Sequence, residues 1–162
     1  MMIVLLVVVF NQEKKIPPLK VLIGQQIPTL VVEDLRNEPS SIKPIPGKLL
    51  MLNVWATWCA PCRHEMPALQ ELAQKLGSER FELIGLSVDE DEFVVREFLI
   101  ENEIHFPSYL DRDMSEAKGV FGVRMFPSTF FIHPNGALVK VIEGWQEWET
   151  PEMIETVRNL LP

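Results

Sequence analysis

The stretch WATWCAPCRHEMP, Trp55 to Pro67, holds both cysteines of the chain, three positions apart. A pair that close cannot brace distant parts of a fold, so it binds a metal, exchanges electrons, or simply packs. The flanks place it. KLLMLNVWA, Lys48 to Ala56, is an unbroken apolar run of strand length, the pattern of a strand covered on both faces. Behind the cysteines, Met66, Leu69, Leu72, Ala73 and Leu76 recur at helical spacing up to Gly77. A strand therefore runs directly into a helix, with the cysteines at the joint.

Outward from this joint the pattern is that of an α/β domain. Between Ile27 and Gly47, apolar LVVEDL alternates with the turn formers RNEPSS and KPIPG, which predicts a small hairpin. FELIGLSVD, Phe81 to Asp89, reads as a second buried strand. DEFVVREFLIENE then predicts a helix with Phe93, Val94, Phe98 and Leu99 on one side. Strand, helix, strand in this order implies a right-handed crossover and a parallel pair. HFPSYLD is a short extended piece, and MSEAKGVFG a short helix ending near Gly119 or Gly122. STFFI and LVKVI are strands joined through Asn135-Gly136, a hairpin signal that makes them antiparallel. Thr150 caps a closing helix that begins at Pro151. The expected architecture is a central mixed sheet flanked by helices.

A structural zinc site needs four ligands, but there is one CxxC here, and His64, His105 and His133 are scattered singly. Copper(I) suits soft thiolates but lacks an obvious third ligand. A redox role accounts for more residues. If the helix starts at Cys59, its sulfur lies over unpaired backbone N–H groups and the positive end of the helix dipole, which favours thiolate. Cys62 falls one turn later, within reach of a mixed disulfide at Cys59. Pro61 occupies a position where a helix tolerates proline, and Trp58 offers an apolar contact surface. Asn53 is polar inside an apolar strand and needs hydrogen-bond partners. Glu65, three residues after Cys62, is either a solvated helix acid or a carboxyl beneath the thiols that accepts a proton; burial would raise its pKa. Trp145 and Trp148, in GWQEWE, read as packing at a loop.

The 47% hydrophobic and 23% charged content is that of one globular domain rather than a disordered chain. A net charge of −8 argues against nucleic acid or an anionic membrane surface as the main partner. The chain opens on MMIVLLVVVF, ten apolar residues, followed by a polar, proline-containing spacer. Ten residues fall short of the ~20 of a membrane-spanning helix. The run reads as part of an export signal, the remainder of a membrane anchor, or a strand. Its terminal position and spacer favour export or anchoring, which divides the chain into residues 1–22, segment and linker, and a domain over 23–162.

The chain resembles the thioredoxin superfamily, and within it the membrane-tethered TlpA, ResA and CcmG (DsbE) type of thiol-disulfide oxidoreductase. The likeness rests on IGQQIPTL, LNVWATWCAPCRHEMP, the inserted DEFVVREFLIENEIHFPSYLD after the second core strand, and GVRMFPSTFFIHPNG. It implies a thioredoxin-like fold with an N-terminal hairpin extension, Cys59 as nucleophile and Cys62 as resolving thiol. It implies that Pro127 is a cis-proline facing the pair and that the backbone of Phe126 binds client polypeptide. It places Glu65 at an acidic position of ResA-like members. Asn53 stands where cytoplasmic thioredoxins carry a buried Asp. Ser128 and Thr129 follow Pro127 where CcmG members usually have an acid, so the broader TlpA-like reductase fits better than CcmG. The resemblance further implies protein disulfide substrates such as apocytochrome c, a membrane thiol-electron donor, an extracytoplasmic location, and no metal or other cofactor. Two other readings compete: a copper-binding or docking module without turnover, and a peroxiredoxin-like peroxidase. The latter normally has Thr where this chain has Ala56.

Overall fold

The computed structural model describes residues 21–162. The apolar run and most of the spacer lie outside the described residues. The elements in chain order are β1 (Leu30–Asp34), β2 (Pro39–Ile42), β3 (Leu49–Trp55), α1 (Ala60–Leu76), β4 (Phe81–Ser87), α2 (Glu92–Glu101), β5 (Ser108–Leu110), a π-helical turn (Ser115–Val120), β6 (Ser128–Ile132), β7 (Leu138–Glu143) and α3 (Pro151–Arg158). They form one seven-stranded mixed sheet of order β2-β1-β5-β4-β3-β6-β7.

β3 is the axis of this sheet because every one of its seven side chains is buried. It pairs in parallel with β4 and antiparallel with β6, so neither edge meets water. Fully burying an aliphatic side chain of this kind contributes about 1.5–3 kcal/mol. β1 and β2 form the expected hairpin, and β6 and β7 pair antiparallel through the Asn135-Gly136 turn. The inserted β5 joins β4 in parallel and β1 antiparallel, stitching the hairpin to the core. Arg112, just after β5, strengthens that seam: its guanidinium reaches Glu33 Oε2 at 2.8 Å and Glu92 Oε2 at 3.0 Å.

Alternation along the strands decides what each face carries. Asn53 and Trp55 project to one face; Asn53 bonds Glu65 of α1, and the Trp55 ring lies 5.3 Å from Phe98 of α2. Both helices therefore cover that face. On the other face, Phe130 packs against Phe121, 4.4 Å between centroids, directly after the π-helical turn.

The expected face of α2 needs correction. Its buried residues are Val95 and Leu99, while Phe93 and Val94 are exposed. Asp91 caps the helix by accepting from the Phe93 amide, which sets the rotation. At about 100° per residue, Val95, Phe98 and Leu99 then share the inward arc and Phe93 points away.

Gly85, in the middle of β4, marks a close approach inside the core. A Cβ there would lie 2.8 Å from Ser108 Oγ, 3.1 Å from Trp55 Nε1 and 3.3 Å from Phe106. Gly85→Ala should destabilise the domain by about 1–3 kcal/mol through overpacking. Urea denaturation tests this; a midpoint equal to wild type would show that the three neighbours move aside freely.

Candidate active site: a cysteine pair backed by a buried carboxyl

α1 begins directly after β3, as the joint required. Cys59 is its N-cap, with extended backbone, and its sulfur accepts from the Cys62 amide at 3.3 Å. Ala60 and Pro61 fill the first turn, where proline's missing N–H costs nothing. Cys59 and Cys62 are joined in a disulfide with Cα atoms 5.3 Å apart. Of the two, Cys59 is the less buried, at 7% exposure against 0% for Cys62.

The loop before Cys59 is clamped from β4. Thr57 donates to Asp89 twice, from its amide at 2.9 Å and from its hydroxyl at 2.6 Å, and the Ser87 hydroxyl donates to the same carboxylate at 2.7 Å. Asp89 is 3% exposed and gains three donors, the arrangement that a buried carboxylate needs. Sequence reasoning missed this clamp; the one visible signal was an acid ending a buried strand.

Around the pair the surface is aromatic. Trp58 is 62% exposed and meets Phe126 edge-on at 5.6 Å. The Phe126–Pro127 peptide bond is cis. Phe126 makes no backbone hydrogen bond with the turns and loops among the described residues, whereas the Pro127 carbonyl accepts from Gly144.

Glu65 stands on α1 one turn after Cys62 and is only 1% exposed. The solvated-acid alternative is thereby excluded. Its Oε1 accepts from Asn53 Nδ2 at 2.8 Å, and its Oε2 accepts from Trp148 Nε1 at 2.9 Å and the Gln146 amide at 3.2 Å. Asn53 Nδ2 also reaches Thr129 Oγ1 at 3.0 Å, so the lone polar residue of β3 is satisfied on its donor side. Its Oδ1 has no partner. Burial raises the Glu65 pKa from 4.5 to about 7, and the donors from Trp148, Asn53 and Gln146 restrain the rise. Trp148 is fully buried and belongs to this site rather than to loop packing alone. Trp145 stays exposed at the loop and lies over His64 at 5.4 Å.

Among the described residues, no group of three or more His, Cys, Asp or Glu is placed to hold a metal ion. What the arrangement offers is a cysteine pair joined at a helix N-terminus, with a buried carboxyl one turn further along the same helix.

The Glu65 shift gives a stability signature. Between pH 4.5 and about 7 the folded state keeps a proton that the unfolded chain has released, so stability falls as pH rises through that window. Glu65→Gln should lack this slope. Urea unfolding at about pH 5 and about pH 8 should show the variant gaining on wild type at the higher pH, and parallel changes would contradict the burial of an ionisable proton here.

The AhpC/TSA family profile matches residues 23–141. The thiol-disulfide oxidoreductase ResA of Bacillus cereus is 33% identical over 153 residues, covering 94% of this chain and 84% of that protein. The ResA of Bacillus subtilis is 32% identical over 138 residues, covering 85% and 75% respectively. Among solved structures, the thioredoxin domain of a thiol-disulfide oxidoreductase from Bacteroides vulgatus superposes with a TM-score of 0.73 at 20% identity, covering 88% of this chain and all of that one, 100%. StoA of Bacillus subtilis does so with a TM-score of 0.65 at 23% identity, covering 82% and 96%. These last two likenesses speak to the fold, and the fold is thioredoxin-like. With a Cys59-x-x-Cys62 pair at the start of α1 and ResA relatives aligned along most of its length, the chain belongs to the AhpC/TSA family, among its ResA-like thiol-disulfide oxidoreductases.

Proposed function

We propose that this oxidoreductase works as a reductase of protein disulfides outside the cytoplasm, with Cys59 as nucleophile, Cys62 as resolving thiol and Glu65 as proton acceptor. The observation that carries the reading is the order of burial at the head of α1: a slightly exposed Cys59 at the N-cap, then a sealed Cys62, then a sealed Glu65.

In the reduced protein the helix N-terminus favours the Cys59 thiolate. That thiolate attacks one sulfur of the client disulfide, forming a mixed disulfide and releasing the other client sulfur as thiolate, which takes a proton from solvent. Cys62 passes its proton to Glu65, and the resulting thiolate attacks Cys59 Sγ. The second client sulfur leaves as thiolate and is protonated in turn. Two electrons have passed to the client, and the protein holds the Cys59–Cys62 disulfide. Trp58, Pro61 and the cis-Pro127 turn form the surface around the attacked sulfur. The free backbone of Phe126 lies where an extended client segment can add its own hydrogen bonds.

Completing the cycle requires a dithiol donor, which we assign to a membrane thiol-electron carrier. ResA-like relatives and the apolar opening of the chain support an extracytoplasmic location with residues 1–22 as tether. Among the described residues no helix is long and apolar enough to cross a membrane. Apocytochrome c, whose haem-binding cysteines must be reduced, is the client that the TlpA, ResA and CcmG resemblance favours.

Cys62→Ser should accumulate a mixed disulfide through Cys59 when mixed with an oxidised client, and Cys59→Ser should form none. Mass spectrometry of the trapped species decides; a Cys62→Ser variant that captures no client at Cys59 would sink the mechanism. Equilibration with glutathione buffers should give a potential well below the ~−120 mV of a strong disulfide oxidant. A value at that level would reverse the assigned direction.

A further inference from the structure

The GWQEWE loop after β7 is pinned at both ends and aimed at the proton acceptor. At its start, the Gly144 amide donates to the Pro127 carbonyl at 2.8 Å, on the turn whose Phe126 ring meets Trp58. At its end, Thr150 caps α3 by accepting from the Met153 amide. Between these anchors Trp148 is fully buried against Phe131, with ring centroids 6.3 Å apart. Its indole N–H and the Gln146 amide converge on a single atom, Glu65 Oε2.

Two fixed N–H donors on one oxygen have a chemical consequence. An indole N–H and a backbone N–H only donate, so neither can accept a hydrogen bond from a protonated oxygen. Oε2 must remain an acceptor whichever form the carboxyl takes. Oε1 has a different partner: the Asn53 amide, which carries a donor and an acceptor on one pivot. Asn53 Nδ2 now bonds Oε1 and Thr129 Oγ1, while Asn53 Oδ1 is a buried acceptor without a partner. Turning the Asn53 amide over would present Oδ1 to an Oε1–H and satisfy that orphan atom. A buried Asp in this place would lack the donor that the ionised carboxylate requires.

We propose that Trp148, with the Gln146 amide, is a positioning residue of the redox centre: it holds Glu65 Oε2 as a permanent acceptor and so confines the exchangeable proton to Oε1, beside Asn53. The inference rests on the reading of Glu65 as proton acceptor and adds the element that orients it. The groups that meet the carboxyl are Asn53 of β3, with the Thr129 hydroxyl of β6 behind it, and Trp148 and Gln146 of the loop; Cys62 stands one helical turn before Glu65 on α1. The charged neighbours in sequence, Arg63 and His64 on α1 and Glu147 and Glu149 in the loop, are exposed, and none forms an ion pair with Glu65 among the described residues. The loop thus links the client-facing Pro127 turn to the orientation of the buried acid.

The test uses the wild-type protein first. In a proton–nitrogen NMR titration, the Trp148 indole resonance should move with a midpoint near that of Glu65, as the bond changes from a carboxylate to a carbonyl acceptor. The movement should vanish in Glu65→Gln. An indole resonance that stays fixed while Glu65 titrates overturns the proposal, and needs no variant of Trp148 to fold.

Trp148→Phe keeps a ring but removes the donor to the ionised carboxyl. The Glu65-dependent limb of its pH–rate profile for disulfide reduction should move to higher pH by about one unit, because the charged form loses a hydrogen bond. An unmoved limb also overturns the proposal. If Glu65→Gln itself keeps the wild-type profile, the acid/base role of Glu65 has failed, and the indole titration alone then decides the positioning role.

Discussion

A carboxyl group sealed behind the cysteine pair sets the terms for the rest of this structure. Taking a carboxylate out of water costs several kcal/mol unless donors replace the lost solvent. Here three donors come from two separate parts of the fold: the Asn53 amide on β3, and the Gln146 backbone N–H with the Trp148 indole from the loop after β7. The donors hold the ionised form within reach, and burial keeps the neutral form competitive, which places the balance at about 7. An acid poised there can take a proton from a thiol and return it without large driving force in either direction.

That poise requires rigidity on both sides of the pair. β3 is buried along its length and paired on both edges, so Asn53 has a fixed place. The Asp89 clamp fixes Thr57, two residues before the nucleophile, to the end of β4. The Gly144–Pro127 bond fixes the turn opposite. Cys59 keeps a small exposure of 7%, while Cys62 and Glu65 are shut off from water, as the proposed proton exchange between them requires. The order Cys59, Cys62, Glu65 along α1 runs parallel to the order of the proposed chemical steps.

Much of this is legible in the sequence because it is local. A continuous apolar run meeting a 3.6-residue periodicity at WCAPC fixes the joint, and the Asn-Gly and Thr-Pro signals fix the last hairpin and helix. Pro127 is readable only through resemblance, since nothing local distinguishes a cis-proline in MFPST. The acid is half legible: spacing puts Glu65 on the side of Cys62 but does not say whether another element covers it. Its cover, Trp148, lies 83 residues further along, and Asp89 lies 32 residues from the Thr57 it holds. Side chains that meet only after the sheet has assembled leave no periodic trace. The face of α2 is misread from sequence for a related reason, because a helix with apolar residues on several sides is oriented by its cap and by the ring it meets, Trp55, rather than by its own pattern.

Two thiols within one turn of helix must differ in their chemistry for Cys59 to attack and Cys62 to resolve. Reduced protein, alkylated over a range of pH and digested for mass spectrometry, reports the reactivity of each sulfur separately. Cys59 should be modified first, with a pKa below the ~8.5 of a free thiol, and Cys62 should stay protected until the fold opens. Faster modification of Cys62, or two cysteines titrating alike at the free-thiol value, would contradict the assignment of nucleophile and resolving thiol.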